Sequence, residues 1–287
     1  MIKIEDILAN FPKRASDANK RDFGHVLVIA GSIGYTGAAY LTSQAALLSG
    51  SGLVTLAAGK SICDVLATKL TEVMVKPFFE TRDYSLSLLA EKELLNFSRK
   101  CSAVAIGPGI SQNKETQALV RSLLGKLDKP IVLDADGINA FVAHVDLLNK
   151  TAAPLILTPH MGEMARLLEK EVEEVKNNRK DIALEFASKY NVILALKGHE
   201  TIVAKADGAF YINATGNVGM ASGGTGDVLT GIITSFVGQG MDAFNAAAAG
   251  VYFHGMAGDI AVKEKGNLSL IATDLLNKLP EVLKTLS

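Results

Sequence analysis

His25-Val-Leu-Val-Ile-Ala-Gly-Ser-Ile-Gly-Tyr-Thr-Gly-Ala-Ala-Tyr40 is the stretch on which the fold turns. Its first part, His25–Ala30, is a short and almost wholly apolar run without alternation, the pattern of a strand covered on both faces by helices. A glycine-bearing loop, Gly31–Gly37, leads into a helical stretch, Ala38–Leu48, and a second apolar run, Leu53–Ala57, follows. Strand, helix and strand in this order make a parallel crossover unit, because parallel neighbours cannot be joined by a tight turn.

The rhythm recurs downstream. Ala103–Ile106, Ile131–Leu133, Leu155–Leu157 and Val192–Leu196 read as further buried strands, with helices at Thr116–Leu124, Met161–Leu168 and Asp181–Ser188. The expected fold is a three-layer α/β/α domain with a mostly parallel central sheet. Thr201–Lys205 and Ala209–Asn213 flank the turn Ala206-Asp207-Gly208 and predict a C-terminal hairpin. Two long helices, Asp227–Val237 and Ala243–Ala257, complete the pattern. No linker, repeat or low-complexity tract interrupts residues 1–287, so one domain is expected.

Composition removes several function classes. Hydrophobic residues make up 48% of the 287 and charged ones 21%, ample for a large core. A net charge of −1, without a cluster of Lys and Arg, argues against a nucleic-acid or anionic-membrane surface. Met1–Leu8 carries acids where a secretory peptide needs an apolar core. The uncharged stretch 38–59 is broken by polar residues and glycines, unlike a membrane span. Cys63 and Cys101 are too few for a disulfide scaffold or a cysteine zinc site. A cytoplasmic protein with two free thiols is expected.

The chemistry concentrates in Asn213-Ala-Thr-Gly-Asn-Val-Gly-Met-Ala-Ser-Gly-Gly-Thr-Gly-Asp227. Asp227 alone reads more readily as a helix N-cap than as a catalytic group. Five glycines in fifteen residues exceed what a cap requires and point to a backbone that closely approaches a ligand. Loop amides running into a helix start make an anion cradle, for which phosphate is the natural occupant. A carboxylate beside it suits a substrate hydroxyl that attacks the held phosphorus, since phosphoryl transfer asks mainly for alignment and charge stabilisation. No Walker-type loop and no G-x-S-x-G elbow occurs.

Gly223-Gly-Thr-Gly-Asp227 resembles the anion hole and catalytic aspartate of the ribokinase-like superfamily. The longer string from Thr215 to Gly231 is similar to one branch of it, the ADP/ATP-dependent NAD(P)H-hydrate dehydratases. Val218 departs from the proline common there. Four further strings agree in order. Gly31–Gly37 is spaced G-x-x-G-x-x-G rather than as a dinucleotide fingerprint, and the resemblance implies that Tyr35, Gly37 and Ala38 line the substrate site. Gly107-Pro-Gly109 ends a strand and brings in Gly109. Thr158-Pro-His-Met-Gly-Glu163 has Thr158 as the expected helix cap. The resemblance places His160 at the hydrated nicotinamide and Glu163 near the phosphates. Lys197-Gly-His-Glu-Thr201 resembles the segment that meets the co-substrate phosphate, implicating Lys197, Gly198, His199, Glu200 and Thr201 together with Gly223, Gly224, Thr225 and Gly226. Asp134 and Asp136 end a strand and could hold Mg2+ directly or through water, and the resemblance implies Glu163 beside it through water; an ordinary turn at Asp136-Gly137, with Asp134 bonding neighbouring amides, is the other reading.

The resemblance implies dehydration of the S-form of hydrated NADH or NADPH (NADHX, NADPHX), coupled to hydrolysis of ADP or ATP. Asp227 would act on the substrate hydroxyl, and Mg2+ would accompany the nucleotide. It also implies a homotetramer and, since few residues precede His25, an epimerase partner on a separate chain. Small-alcohol vitamin kinases share the Gly-x-Gly-Asp core and are the rival reading, because one fold hosts many activities.

Overall fold

A computed structural model describes residues 1–286. The strands are His25–Ile29 (β1), Leu53–Gly59 (β2), Met74–Phe78 (β3), Ala103–Ile106 (β4), Ile131–Leu133 (β5), Leu155–Leu157 (β6), Ile193–Leu196 (β7), Ile202–Ala204 (β8) and Phe210–Ile212 (β9). They form one sheet in the order β3-β2-β1-β4-β5-β6-β7-β8-β9. Neighbours from β3 through β7 pair in parallel, and the hairpin β8–β9 adds two antiparallel strands beyond β7.

Both faces of the sheet are covered, which is why its strands read as unbroken apolar runs. Ile131, Leu133, Leu155, Leu157, Leu194 and Leu196 face one core, packed by Leu119, Leu123, Ile182 and Phe186 of the helices Lys114–Leu124 and Arg179–Tyr190. Val132, Ile156 and Ala195 face the other, against Ile232, Phe236, Ala247 and Leu275 of the C-terminal helices. The three-layer α/β/α reading holds. Several elements are longer than expected: the helix predicted to end at Ala257 runs from Ala243 to Lys265, and a further helix, Ala272–Leu283, follows it. Among the described residues no helix is long and apolar enough to cross a membrane.

Two features position the site. First, β1 lies between β2 and β4: the chain steps outward from β1 to β2 and β3, then crosses back to β4 on the other side of β1. Ligand crevices of open α/β sheets form at such a switch point, beyond the strands' carboxyl ends. There the loop after β1 meets the turn after β4: Ser32 Oγ donates to Gly109 O at 2.8 Å and the Gly31 amide to Pro108 O at 2.9 Å. Second, the helix Thr225–Gly238 crosses Thr36–Leu48 so closely that a Cβ on Gly231 would stand 2.2 Å from Thr42 O. The absent side chain lets the two helices that follow the two glycine loops touch backbone to backbone.

Candidate active site

The glycine loop ends at Gly224, which caps the helix Thr225–Gly238 with φ +91. That left-handed conformation suits glycine, and a Cβ there would also meet Leu41 Cδ1 at 2.6 Å. Asp227 is therefore the third helical residue, not the cap. The first-turn amides of Gly226 and Asp227 have no intrahelical acceptor and face outward from the helix start. Thr225 Oγ1 closes the loop on itself, within 3.1 Å of Met220 O and 3.0 Å of Ser222 O. The helix Ala243–Lys265 seats the loop from below: Asp259 accepts from the Gly216 amide and from Asn217 Nδ2, both at 2.9 Å. Gly255 and Gly258 leave no room for a Cβ against Thr215 and Met220.

Beneath this helix start lies a cluster of charges drawn from three strand ends. Lys197, following β7, places Nζ 2.7 Å from Asp134 Oδ1 and 3.9 Å from Glu163 Oε2. Asp134, following β5, accepts at Oδ2 from Thr230 Oγ1 at 2.8 Å. Thr230 stands one turn after Asp227 on the same helix. Burial opposes charge on Lys197, but Asp134, Glu163 and Asp227 outweigh it and hold the ammonium above its ordinary pKa. Asp227 is pushed the other way. Burial, then Asp134 and Glu163, raise its carboxyl to about 7 against the pull of Lys197. An aspartate near 7 is a usable base at neutral pH, where an ordinary one is weak.

The strand-end acids separate in role. Asp136 opens the short helix Asp136–Asn139 and accepts from the Ser111 amide at 3.2 Å and from Asn139 Nδ2 at 3.2 Å. Both oxygens of Asp134 are taken, by Lys197 and Thr230. Among the described residues no group of three or more His, Cys, Asp or Glu could hold a metal ion. Thr158 is not the helix cap: its hydroxyl is buried against Leu133 O at 3.4 Å. His160 takes that place, its Nδ1 accepting from the Gly162 and Glu163 amides at 2.9 and 3.3 Å. Glu163 Oε2 answers by accepting from the His160 amide at 2.8 Å, a reciprocal capping box. Burial, with Lys197 and Arg166 adding, lowers the His160 pKa, so the ring is neutral and carries its proton on Nε2.

A cleft of about 920 Å³ opens beside the anion loop. Its walls hold Lys197, Gly198, His199, Glu200 and Thr201 on one side and 215–218, Thr225 and Gly226 on the other, with His160 at its rim. Arg179 clamps the first wall, donating to the carbonyls of His199 and Glu200 at 2.5 and 3.0 Å; Glu200 sits there at φ +54. Tyr35, Ala38 and Gly109 meet elsewhere along the same sheet edge. A Cβ on Gly109 would stand 2.8 Å from Tyr35 Cβ and 3.0 Å from Ala38 Cβ. Gly37 is exposed with open space beside it. The chain thus gathers 215–218, Thr225, Gly226 and the Lys197–Thr201 segment around one cleft, whose lining leaves out Gly223, Gly224 and Asp227, and it brings Tyr35, Ala38 and Gly109 into a separate wall. Asp259, Arg179 and His254 carried no sequence signal, and Thr230 lay within the Thr215–Gly231 string without a role of its own. Each is defined by a contact at least 20 residues away.

The family model described as NAD(P)H-hydrate dehydratase matches residues 26–281. A bifunctional NAD(P)H-hydrate repair enzyme of Moorella thermoacetica is 44% identical over 278 residues, 97% of this chain and 52% of that protein. The chain spans about half the length of this and similar bifunctional relatives. An ADP-dependent (S)-NAD(P)H-hydrate dehydratase of Xanthomonas campestris is 32% identical, with 96% of this chain and 93% of that one covered. The solved ADP/ATP-dependent NAD(P)H-hydrate dehydratase of Bacillus subtilis, co-crystallised with ATP and Mg2+, aligns with a TM-score of 0.87 at 31% identity, covering 99% and 98% of the two chains. On a match that runs from β1 into the last long helix, this chain belongs to the NAD(P)H-hydrate dehydratase family.

Proposed function

We propose that the chain restores NADH or NADPH from its S-hydrate by phosphorylating the ring hydroxyl with ADP or ATP and then expelling phosphate. The observation that carries this reading is Asp227, raised to about 7, placed in the same helical turn as open amides at a cleft edge. The nucleotide lies in the cleft between Lys197–Thr201 and the anion loop, its terminal phosphate on the amides of Gly223, Gly224 and Gly226, since the Thr225 amide donates to Ser222 O at 3.4 Å. Each such donor is worth about 3–4 kcal/mol of barrier. The Lys197 ammonium stands close to Gly226, where a Cβ would come within 3.2 Å of Nζ, and favours negative charge at that point. Hydrated nicotinamide reaches Asp227 from the wall of Tyr35, Gly37, Ala38 and Gly109, with His160 Nε2–H available to a carbonyl.

Asp227 takes the proton of the hydroxyl as its oxygen attacks the terminal phosphorus. AMP leaves when the donor is ADP, and ADP leaves when it is ATP. The ring nitrogen lone pair then expels phosphate with the electrons of the C–O bond, and loss of a proton from the neighbouring carbon restores the double bond. With Asp134 already paired, the residues fit Mg2+ carried in by the nucleotide phosphates, with Glu163 nearby through water, rather than a resident metal. Bound there it would offset phosphate charge. Oligomerisation and an epimerase partner belong to the same proposal. NADH hydrate incubated with the protein, Mg2+ and ADP or ATP tests it. Return of the near-ultraviolet band of NADH only with nucleotide supports the reading. Accumulation of a stable phosphorylated alcohol instead places the chain among the kinases of the same fold.

A further inference from the structure

His254 stands on the helix Ala243–Lys265, lines the cleft beneath the anion loop, and is assigned no part in the chemistry above. Its Nε2 lies 2.8 Å from the carbonyl oxygen of Thr225. A carbonyl only accepts, so Nε2 carries the proton and donates. That carbonyl belongs to the same peptide unit as the Gly226 amide, and the Gly226 amide is one of the open donors at the helix start. The two ends of one planar peptide are therefore gripped on one side and presented to the ligand on the other.

We propose that His254 is a positioning residue: by donating to the Thr225 carbonyl it fixes the plane of the Thr225–Gly226 peptide and strengthens its amide as a phosphate donor. A peptide whose carbonyl accepts a hydrogen bond is polarised, and its N–H becomes the better donor. Planarity of the unit means that tilting the carbonyl tilts the amide with it. The loop needs this grip. Gly223, Gly224 and Gly226 bring no side chains to hold it, and Thr225 Oγ1 reaches back only to Met220 and Ser222. Burial pushes the His254 pKa down to about 4, with the Thr225 bond opposing and Lys197 adding to the fall. The ring is neutral at working pH, so it polarises the peptide without adding a charge to the anion site, and its Nδ1 is left as an acceptor.

Glutamine places its Nε2 the same number of bonds from Cβ as histidine does, whereas the asparagine amide falls one bond short and leucine offers no donor. His254→Gln, His254→Asn and His254→Leu therefore separate a donor at the right reach from mere filling of space. The kinetic readout rests on the proposed dehydratase reaction. A second readout does not: in protein labelled with 15N-glycine and carbonyl-13C-threonine, only four Thr-Gly pairs exist in the chain, and the Thr225–Gly226 signal is identified by its loss in Gly226→Ala. The expectation is a fall in kcat of about tenfold or more for Leu and Asn, with near-normal kcat for Gln and an upfield move of the Gly226 amide proton in Leu and Asn alone. Wild-type kcat and an unmoved Gly226 signal in folded His254→Leu would overturn the proposal, as would a folded Gln variant no better than Leu. If the wild type proves inactive on the hydrate, the reaction is wrong and the amide signal still decides the role of His254.

Discussion

Lys197 Nζ lies 2.7 Å from Asp134 Oδ1, so the lysine that ends β7 is turned in upon the carboxylate that ends β5, 63 positions earlier in the chain. Thr230 holds the other oxygen of Asp134 at 2.8 Å and thereby ties the pair to the helix of Asp227. The side chain of Asp134 is only 2% exposed and that of Lys197 18%. Removing one member strands the other. Lys197→Met should cost about 3–5 kcal/mol in urea unfolding, and Lys197→Met with Asp134→Leu should cost much less than the sum of the two single changes. Strict additivity in that cycle would mean that the pair is not coupled.

Asp227 makes both activity and stability depend on pH. If it takes a proton from the substrate, kcat/KM should rise about tenfold per pH unit below about 7 and level off above it. Its stability effect has the opposite direction. A carboxyl with a raised folded pKa favours the folded state in its protonated form. That contribution is complete below its unfolded value of 3.8 and lost as pH climbs through about 7. Asp227→Asn should thus match the wild type in thermal scans near pH 4 and melt a few degrees higher at pH 8, while losing activity. A variant that is less stable at pH 8 would contradict the assigned pKa.

The glycines divide into those the fold needs and those a ligand needs. Gly231→Ala would drive a methyl against Thr42 O and should destabilise by about 1–3 kcal/mol. At Gly223 a Cβ meets nothing within 4 Å, and φ there is not positive. Gly223→Ala should therefore keep the wild-type melting temperature and, if Gly223 holds the phosphate as proposed, lower kcat or raise the nucleotide KM by about tenfold. Equal activity in Gly223→Ala would remove Gly223 from the anion site.

Much of this was legible in the sequence, for reasons that differ element by element. Eight of the nine strands are legible: six because burial on two faces writes an unbroken apolar run, and the hairpin pair because of the Gly-bearing turn between them. β3 is not: Met74-Val-Lys-Pro-Phe78 pairs only with β2, and an edge strand tolerates Lys76 and Pro77, which disguise it. The anion loop was readable because glycine density and a helix start are local features. The raised pKa of Asp227 was not, since it depends on burial and on acids brought from other strands. Thr158 was taken for the cap on residue preference, whereas His160 caps through Nδ1 and shares the turn with Glu163. His254 carries no local motif, because its partner is 29 residues away.

The central claim is that phosphate leaves with the substrate's own oxygen. Hydrate labelled with 18O at the ring hydroxyl, turned over with unlabelled ADP or ATP in unlabelled water, tests it by mass analysis of the products. The account predicts one 18O in each released phosphate, because the C–O bond breaks after the P–O bond to that oxygen has formed. Label found in water, with phosphate unlabelled, would show that the nucleotide is hydrolysed beside the dehydration rather than through it.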